Sequence, residues 1–322
     1  VYPAFAALLP VAGDDVPEDA RVRLKEAAEG LLGGRWPVFA HERDDMAPAP
    51  DWFLDPDTGR RAPDRSYCFA VDHRDPAAVG NVKYVWELSR HQHLTVLAAA
   101  YRLDGDERYA KAVATQLRSW WAANPFLSGV HWTSGIELGL RLLSWVWIRR
   151  LLDGWSGAGP LFEANRTFLQ QLHHHQEWLA RLPSHGSSAN NHILAEMAGQ
   201  FAAGCAFPWF PESSAWREAA ATKLRRELVR QTFASGLNRE LLEFEPEELT
   251  VYEVGAKSQW LDQTLVVNGA FFFQDFKNKQ VFDPWVFSNQ GPSFAIARFT
   301  PEEYQAGPEA RRKLVLEKLT QT

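Results

Sequence analysis

The sequence predicts a mainly α protein: an incomplete α/α toroid of antiparallel helical hairpins, followed by a smaller C-terminal region with strands. Three observations lead there. Six helical segments follow one another from Val82 with short Gly, Pro or Asn breaks, one of them is apolar almost all round, and the composition turns β-branched and aromatic after about residue 243. At 322 residues the chain suffices for one large domain or two ordinary ones. We divide it into an N-terminal arm and irregular segment (1–80), the toroid (81–243) and the C-terminal region (244–322).

A short helix is expected near Val22 to Leu32. Residues 47–80, with Ala47-Pro48-Ala49-Pro50 and Asp55-Pro56-Asp57, read as an irregular surface segment. The six helices are placed at about 84–102, 107–123, 136–152, 160–182, 190–206 and 212–234. They are separated by Asp104-Gly105-Asp106, Asn124-Pro125, Gly154 to Pro160, and Pro183 to Ser188. Short breaks make successive helices neighbours, and six in a row require helix-on-helix packing. Leu138 to Ile148 is apolar on nearly every face, as expected of an inner helix covered on both sides, whereas 212–234 carries Arg217, Lys223, Arg225 and Arg226 and reads as an outer one. Strands are expected at Thr250 to Val254, Thr264 to Phe273 and Val281 to Phe287, and a final helix at Pro308 to Leu319.

The charge balance excludes some functions. A formal net charge of −6 provides no global basic field for nucleic acid, so a polyanionic ligand would need a local basic cleft. No run approaches the ~18 apolar residues of a membrane span, and the apolar stretch at 138–148 is interrupted by Arg141. Neither nucleic acid nor membrane is expected as a partner. Cys68 and Cys205 are too few for a disulfide framework and are expected simply to pack. The first residue is Val1 rather than Met, which leaves the compartment open, with a periplasmic or secreted setting expected over a cytoplasmic one.

Tryptophan is over-represented, at 14 residues. About half are expected in the core; for the others, a flat indole under the C–H face of a sugar ring is a natural role. Three segments group polar residues around such aromatics. In Lys83-Tyr84-Val85-Trp86-Glu87-Leu88-Ser89-Arg90-His91, Glu87 meets Arg90 and His91 at helical spacing, which suits either a structural ion pair or a ligand contact. In Gly129-Val130-His131-Trp132-Thr133-Ser134-Gly135-Ile136-Glu137, followed by Arg141, the last two are one turn apart, and His131 and Trp132 are expected on a loop open to a cleft. In Ser187-Ser188-Ala189-Asn190-Asn191-His192, Ser188 or Asn190 could cap a helix. Asn191 and His192 would then stand beside unsatisfied backbone N–H groups, a setting suited to a carboxylate. His173-His174-His175 does not predict a metal site, because consecutive helical residues point about 100° apart. No phosphate loop, metallopeptidase motif or nucleophile elbow is present, and no metal or cofactor is expected.

These segments, in this order from Asp51-Trp52 to Leu237-Asn238-Arg239-Glu240, resemble the N-terminal toroid of the heparinase II/III-like polysaccharide lyases, relatives of the alginate lyases. The resemblance implies binding of uronic-acid-containing polysaccharide, such as a glycosaminoglycan or alginate, and its cleavage by β-elimination. It makes Asn191 the donor that neutralises the uronate carboxylate, with His192 assisting. Tyr84, Trp86, Glu87, Arg90, His131, Trp132, Glu137, Arg141, Asn190 and Arg239 become candidate substrate contacts. Such lyases use a Tyr as base, usually in a Tyr-His pair soon after Asn-Arg-Glu. Here Leu241-Leu242-Glu243-Phe244-Glu245-Pro246 follows instead, and Tyr252 is the nearest candidate. Two alternatives remain: a non-catalytic glycan-binding protein on a degenerate lyase fold, or an inverting glycoside hydrolase. The hydrolase needs two carboxylates roughly 6.5 to 9.5 Å apart, which Glu87, Glu137 and the Glu243 to Glu248 cluster could supply.

Overall fold

The computed structural model describes residues 16–185 and 189–232 in full, and the backbone of two strands at 248–260 and 265–277. The chain divides into two compact units, Val1–Arg230 and Gln231–Thr322.

The first unit is helical. Helix α1 (Glu18–Leu32) begins a turn earlier than expected, after Pro17, and its first turn is reinforced by Asp19 accepting from Arg23 at 2.7 Å. A hairpin of two short antiparallel strands, β1 (Trp36–Val38) and β2 (His41–Arg43), follows; its turn residue Phe39 has a positive φ. The sequence did not signal these strands, each of which is three residues long.

Residues 47–80 are irregular, but they are not superficial. Trp52, Phe53, Ala62 and Cys68 are buried in the core, because the segment satisfies its own backbone with carboxylates. Asp55, itself fully buried, accepts from the amides of Asp57 and Asn81 at 3.0 and 2.7 Å and from the Thr58 hydroxyl at 2.5 Å. Arg43 donates to the carbonyls of Asp51 and Leu54. A one-turn helix, α2 (Pro76–Val79), is capped by Asp75.

The first long helix expected from the sequence is two helices, α3 (Val82–Ser89) and α4 (Gln92–Asp104). His91 takes a left-handed φ of 64° between them, and its buried ring accepts a hydrogen bond from Trp145 at 2.9 Å. No Gly or Pro marks this break; a tertiary contact sets it. The next break was legible in the sequence: Gly105 ends α4 at φ 71°, and Asp106 caps α5 (Glu107–Ala123) by accepting from the amide of Arg108.

Helix α6 (Gly135–Leu151) packs against α3, α4, α8 (Arg166–Arg181) and α9 (Asn191–Ala206), as its all-round apolar pattern required. A single turn, α7 (Ala158–Leu161), precedes α8. The α6–α9 contact is a backbone crossing. A Cβ on Gly199 would overlap the carbonyl of Gly139, and one on Gly139 would stand 2.5 Å from the carbonyl oxygen of Ala195. The helix α10 (Ser213–Gln231) buries Trp216, Ala220 and Glu227 and exposes most of its basic residues. These hairpins form the incomplete toroid. Of the cysteines, Cys68 packs as expected and Cys205 is exposed.

In the second unit, β3 (Glu248–Trp260) and β4 (Leu265–Lys277) pair antiparallel, each longer than the sequence indicated. The strand expected at Val281 to Phe287 and the helix at Pro308 to Leu319 lie outside the described residues.

Candidate functional site

The three polar and aromatic segments go to different places. His131 and Trp132, expected to open onto a cleft, are fully buried in a 3-10 turn. The correction has a clear cause. His131 Nε2 lies 2.9 Å from the Trp52 carbonyl and 3.2 Å from Ser89 Oγ, and the Trp132 ring packs 4.6 Å from His175. His131 ties the irregular segment to α3, and Trp132 ties the 3-10 turn to α8. Arg141 is also sealed. Its Nε donates to the Ser89 carbonyl at 2.8 Å, its guanidinium sits 2.9 Å from His175 Nε2 and 3.3 Å from the His131 carbonyl, and its charge lies 4.3 Å above the Trp120 ring. Burial draws this guanidinium down to about 9, against the opposing pull of Glu137, which still leaves it cationic at neutral pH. Burial and the nearby Arg141 charge hold His131 at about 3 and push His175 well below the usual histidine range. Burial also brings His93 to about 4. These histidines are neutral packing groups.

Glu87, Arg90 and Glu137 form an ion-pair network between α3 and α6. Arg90 grips both oxygens of Glu137 at 2.8 and 2.9 Å and Glu87 at 2.5 Å. Burial is the largest single influence and would lower the Arg90 pKa, but the Glu137 hydrogen bond and the charges of Glu137 and Glu87 together outweigh it and the net shift is upward. Tyr84 packs its ring edge-on to Phe39 and His41, at 5.2 and 5.1 Å. The triple histidine splits as its spacing required: His175 points inward, His174 stacks on Phe126 at 4.0 Å, and His173 lies against Phe210 and Trp216.

The open site is on the other side of α3. A cleft of about 600 Å³ is lined by Trp86, Lys83, His73, Arg74, Ser134 and His192, with Asp57 and Thr58 at one margin. Trp86 is held by its Nε1 donating to the Val130 carbonyl at 3.1 Å, and the His73 ring sits 5.3 Å from it. His192 comes from the first turn of α9, half-exposed, and Asn191 beside it is exposed. Asn190 stands at the N-cap but makes no capping bond, and its Oδ1 is buried without a hydrogen-bond partner among the described residues. The α9 N-terminus is anchored from below by buried Glu196, one turn on, which accepts from the Ser184 amide at 2.8 Å and its hydroxyl at 2.5 Å. Burial raises the Glu196 carboxyl; the Ser184 bonds and the charges of His192 and His185 oppose that rise. Tyr252 is on β3 opposite Phe273, in the second unit. Arg239, Ser187 and Ser188 lie outside the described residues.

Sequence reasoning therefore missed His73, Arg74 and Lys83 as candidates. The adjacent His73-Arg74 pair, set between Asp72 and Asp75 in a proline-rich stretch, was the available signal. Among the described residues, no helix is long and apolar enough to cross a membrane, and no group of three metal-ligating side chains converges.

The helical toroid and the order of its motifs agree with the family that the sequence resembles. The profile of the family described as Heparinase II/III N-terminus matches residues 71–245, more than half of the chain, and the chain belongs to that family. Two curated relatives are named heparin-sulfate lyase. One, from Bacteroides stercoris, is 28% identical over 174 residues; the other, from Pedobacter heparinus, is 29% identical over 161 residues. Each alignment covers 48% of this chain and only 26% and 24% of the relatives, so the chain spans about a quarter of their length. The crystal structure of heparan sulfate lyase HepC from Pedobacter heparinus shares the fold, with a TM-score of 0.51 at 22% identity over 73% of this chain and 33% of that one.

Proposed function

We propose that this chain is a polysaccharide lyase-like protein that binds uronic-acid-containing polysaccharide through its helical unit and cleaves it by β-elimination. The observation that carries the reading is the convergence of His192, Lys83, Arg74 and His73 on a cleft walled by Trp86. An indole offers a flat face to a sugar ring, and the charges of Lys83 and Arg74 suit its carboxylate, with His73 and His192 as hydrogen-bonding neighbours. The α9 N-terminus adds a positive dipole end beside Asn191.

In the reaction, the C5 proton next to the carboxylate goes to a base, the C4–O bond breaks, a C4–C5 double bond forms, and the departing oxygen takes up a proton. A C5–H beside an ionised carboxylate is a very weak acid, so donors that absorb charge as the enolate develops accelerate its removal. Asn191 is assigned that role, His192 assists at the carboxylate, and Tyr252 is the candidate base. Motif order supports the assignment of Asn191, whereas Tyr252 rests on its side-chain chemistry and on being the first tyrosine after Asn238-Arg239-Glu240, later in the chain than the family's pair.

The hydrolase reading is weakened by the Arg90 network. Glu137 engages Arg90 through both oxygens and Glu87 binds the same guanidinium, which removes both from acid–base work. The test is incubation with a panel of uronate polysaccharides under near-ultraviolet absorbance, where the unsaturated product appears. Reducing ends without that chromophore would establish hydrolysis, and binding without product on long incubation would establish a non-catalytic glycan-binding protein.

A further inference from the structure

The first turn of α9 separates two hollows. His192 faces the cleft, while Ala189 and Ile193 on either side of it line a second hollow of about 210 Å³. Its remaining walls are Ser184 and His185 from the preceding segment and Lys223, Arg226, Glu227 and Arg230 from α10. Consecutive helical residues diverge by about 100°, so residues 192 and 193 naturally address different sides of the exposed Asn191.

The second hollow is cationic in a protein of formal net charge −6. Its one carboxylate, Glu227, is 4% exposed and is engaged by Arg226 at 3.1 Å and Arg230 at 3.2 Å. Three cations against one carboxylate leave a local positive excess, and Lys223, half-buried in the wall, has no carboxylate partner among the described residues. The walls are held in place by bonds that do not depend on a ligand: Glu196 fixes Ser184, and Arg230 donates to the Ala189 carbonyl at 3.0 Å. A pre-formed positive hollow loses little freedom when an anion enters it.

We propose that this hollow binds an anionic group, sulfo or carboxylate, on a sugar neighbouring the one seated in the cleft. The substrate class thereby narrows to polysaccharides that carry anionic groups on more than one sugar of the bound segment. The inference rests on the carbohydrate reading of the cleft.

The test is fluorescence anisotropy of the full chain with two end-labelled uronate oligosaccharides, one sulfated and one with its sulfo groups removed, for the wild type and for Lys223→Glu, Arg225→Glu and His192→Ala. Arg225 is exposed on α10 outside the hollow, so its variant carries the same charge change. Lys223→Glu is expected to weaken binding about tenfold, the scale of one charged hydrogen bond lost, while Arg225→Glu stays near wild type and both keep the wild-type unfolding midpoint. Loss confined to the sulfated probe identifies a sulfo site, and loss on both probes identifies a carboxylate site. Equal affinities for wild type, Lys223→Glu and Arg225→Glu overturn the proposal, as does equal weakening by the two α10 variants, which would mean long-range charge only. Binding of neither probe by the wild type overturns it together with the cleft reading. If His192→Ala weakens binding and Lys223→Glu does not, the cleft stands and the second hollow falls.

Discussion

The two sides of α3 use the same kinds of residue for opposite ends. Inward, Ser89 joins Arg141, His131, His175 and Trp120 in a sealed polar and aromatic cluster; outward, Lys83 and Trp86 meet His73, Arg74 and His192 across an open cleft. Residue chemistry alone does not separate these two sets. Solvent access does, and it depends on what packs over α3: the irregular segment and the 3-10 turn cover the inner cluster, while the first turn of α9 only approaches the outer one. Arginine, histidine and tryptophan at helical spacing are thus as compatible with a core that needs hydrogen-bonded filling as with a binding surface.

The largest effect that would break the contrast is on the inner side. Arg141→Ala removes the donor to the Ser89 carbonyl and the charge above Trp120, and is expected to cost about 3–5 kcal/mol by denaturant titration. A loss below about 1 kcal/mol would show that the cluster is not structural. On the outer side, the proposed β-elimination predicts that His192→Ala lowers turnover about a hundredfold while unfolding stays within about 0.5 kcal/mol of wild type, as for a surface substitution. The reverse pattern, normal turnover with lost stability, would move His192 to the inner class.

Gly199→Ala sharpens the boundary between the two sides, because α9 can present His192 only if its backbone rests on Gly139. Forcing a methyl group into that crossing is expected to cost about 1–3 kcal/mol and to lower turnover along with stability, whereas Gly105→Ala, at an open turn, should leave turnover unchanged.

The inner cluster also imposes a pH dependence. His93 at about 4 and His131 at about 3 stay neutral in the fold, whereas in the unfolded chain they take up protons below about 6.5. The unfolded state then binds more protons, so stability is full above about pH 6.5 and falls as pH drops toward 4. The upper limit is about 1.4 kcal/mol per pH unit for each histidine. His93→Gln should flatten that slope by one histidine's share, read from unfolding midpoints across pH 4 to 7.

Helix existence and type were legible because α4–α5 and α5–α6 are punctuated locally by Gly105, Asp106, Asn124 and Pro125, and because the pattern of α6 demanded cover on every side. The break at His91 was not legible, since Trp145, more than fifty residues away, holds that ring. The strands at 36–43 were too short to generate an alternating pattern. The depth of residues 47–80 was hidden for a related reason: buried carboxylates such as Asp55 look like surface residues until their backbone donors are in place. His192 could be placed near an opening because a helix start carries unsatisfied amides wherever it occurs. His73 and Arg74 could not, since nothing in a proline-rich segment states which helix it will lie against.

Ser89 is the last residue of α3, and the final carbonyls of a helix find no partner within it. Because the chain turns left-handed at His91, that carbonyl is free to receive the arginine from α6. Straightening the turn would occupy the acceptor, and removing the arginine would strand it. Residues 91 and 141 are therefore tied in substitution: a redesign that joins α3 to α4 as one continuous rod has to replace the arginine in the same step with an apolar side chain of similar volume.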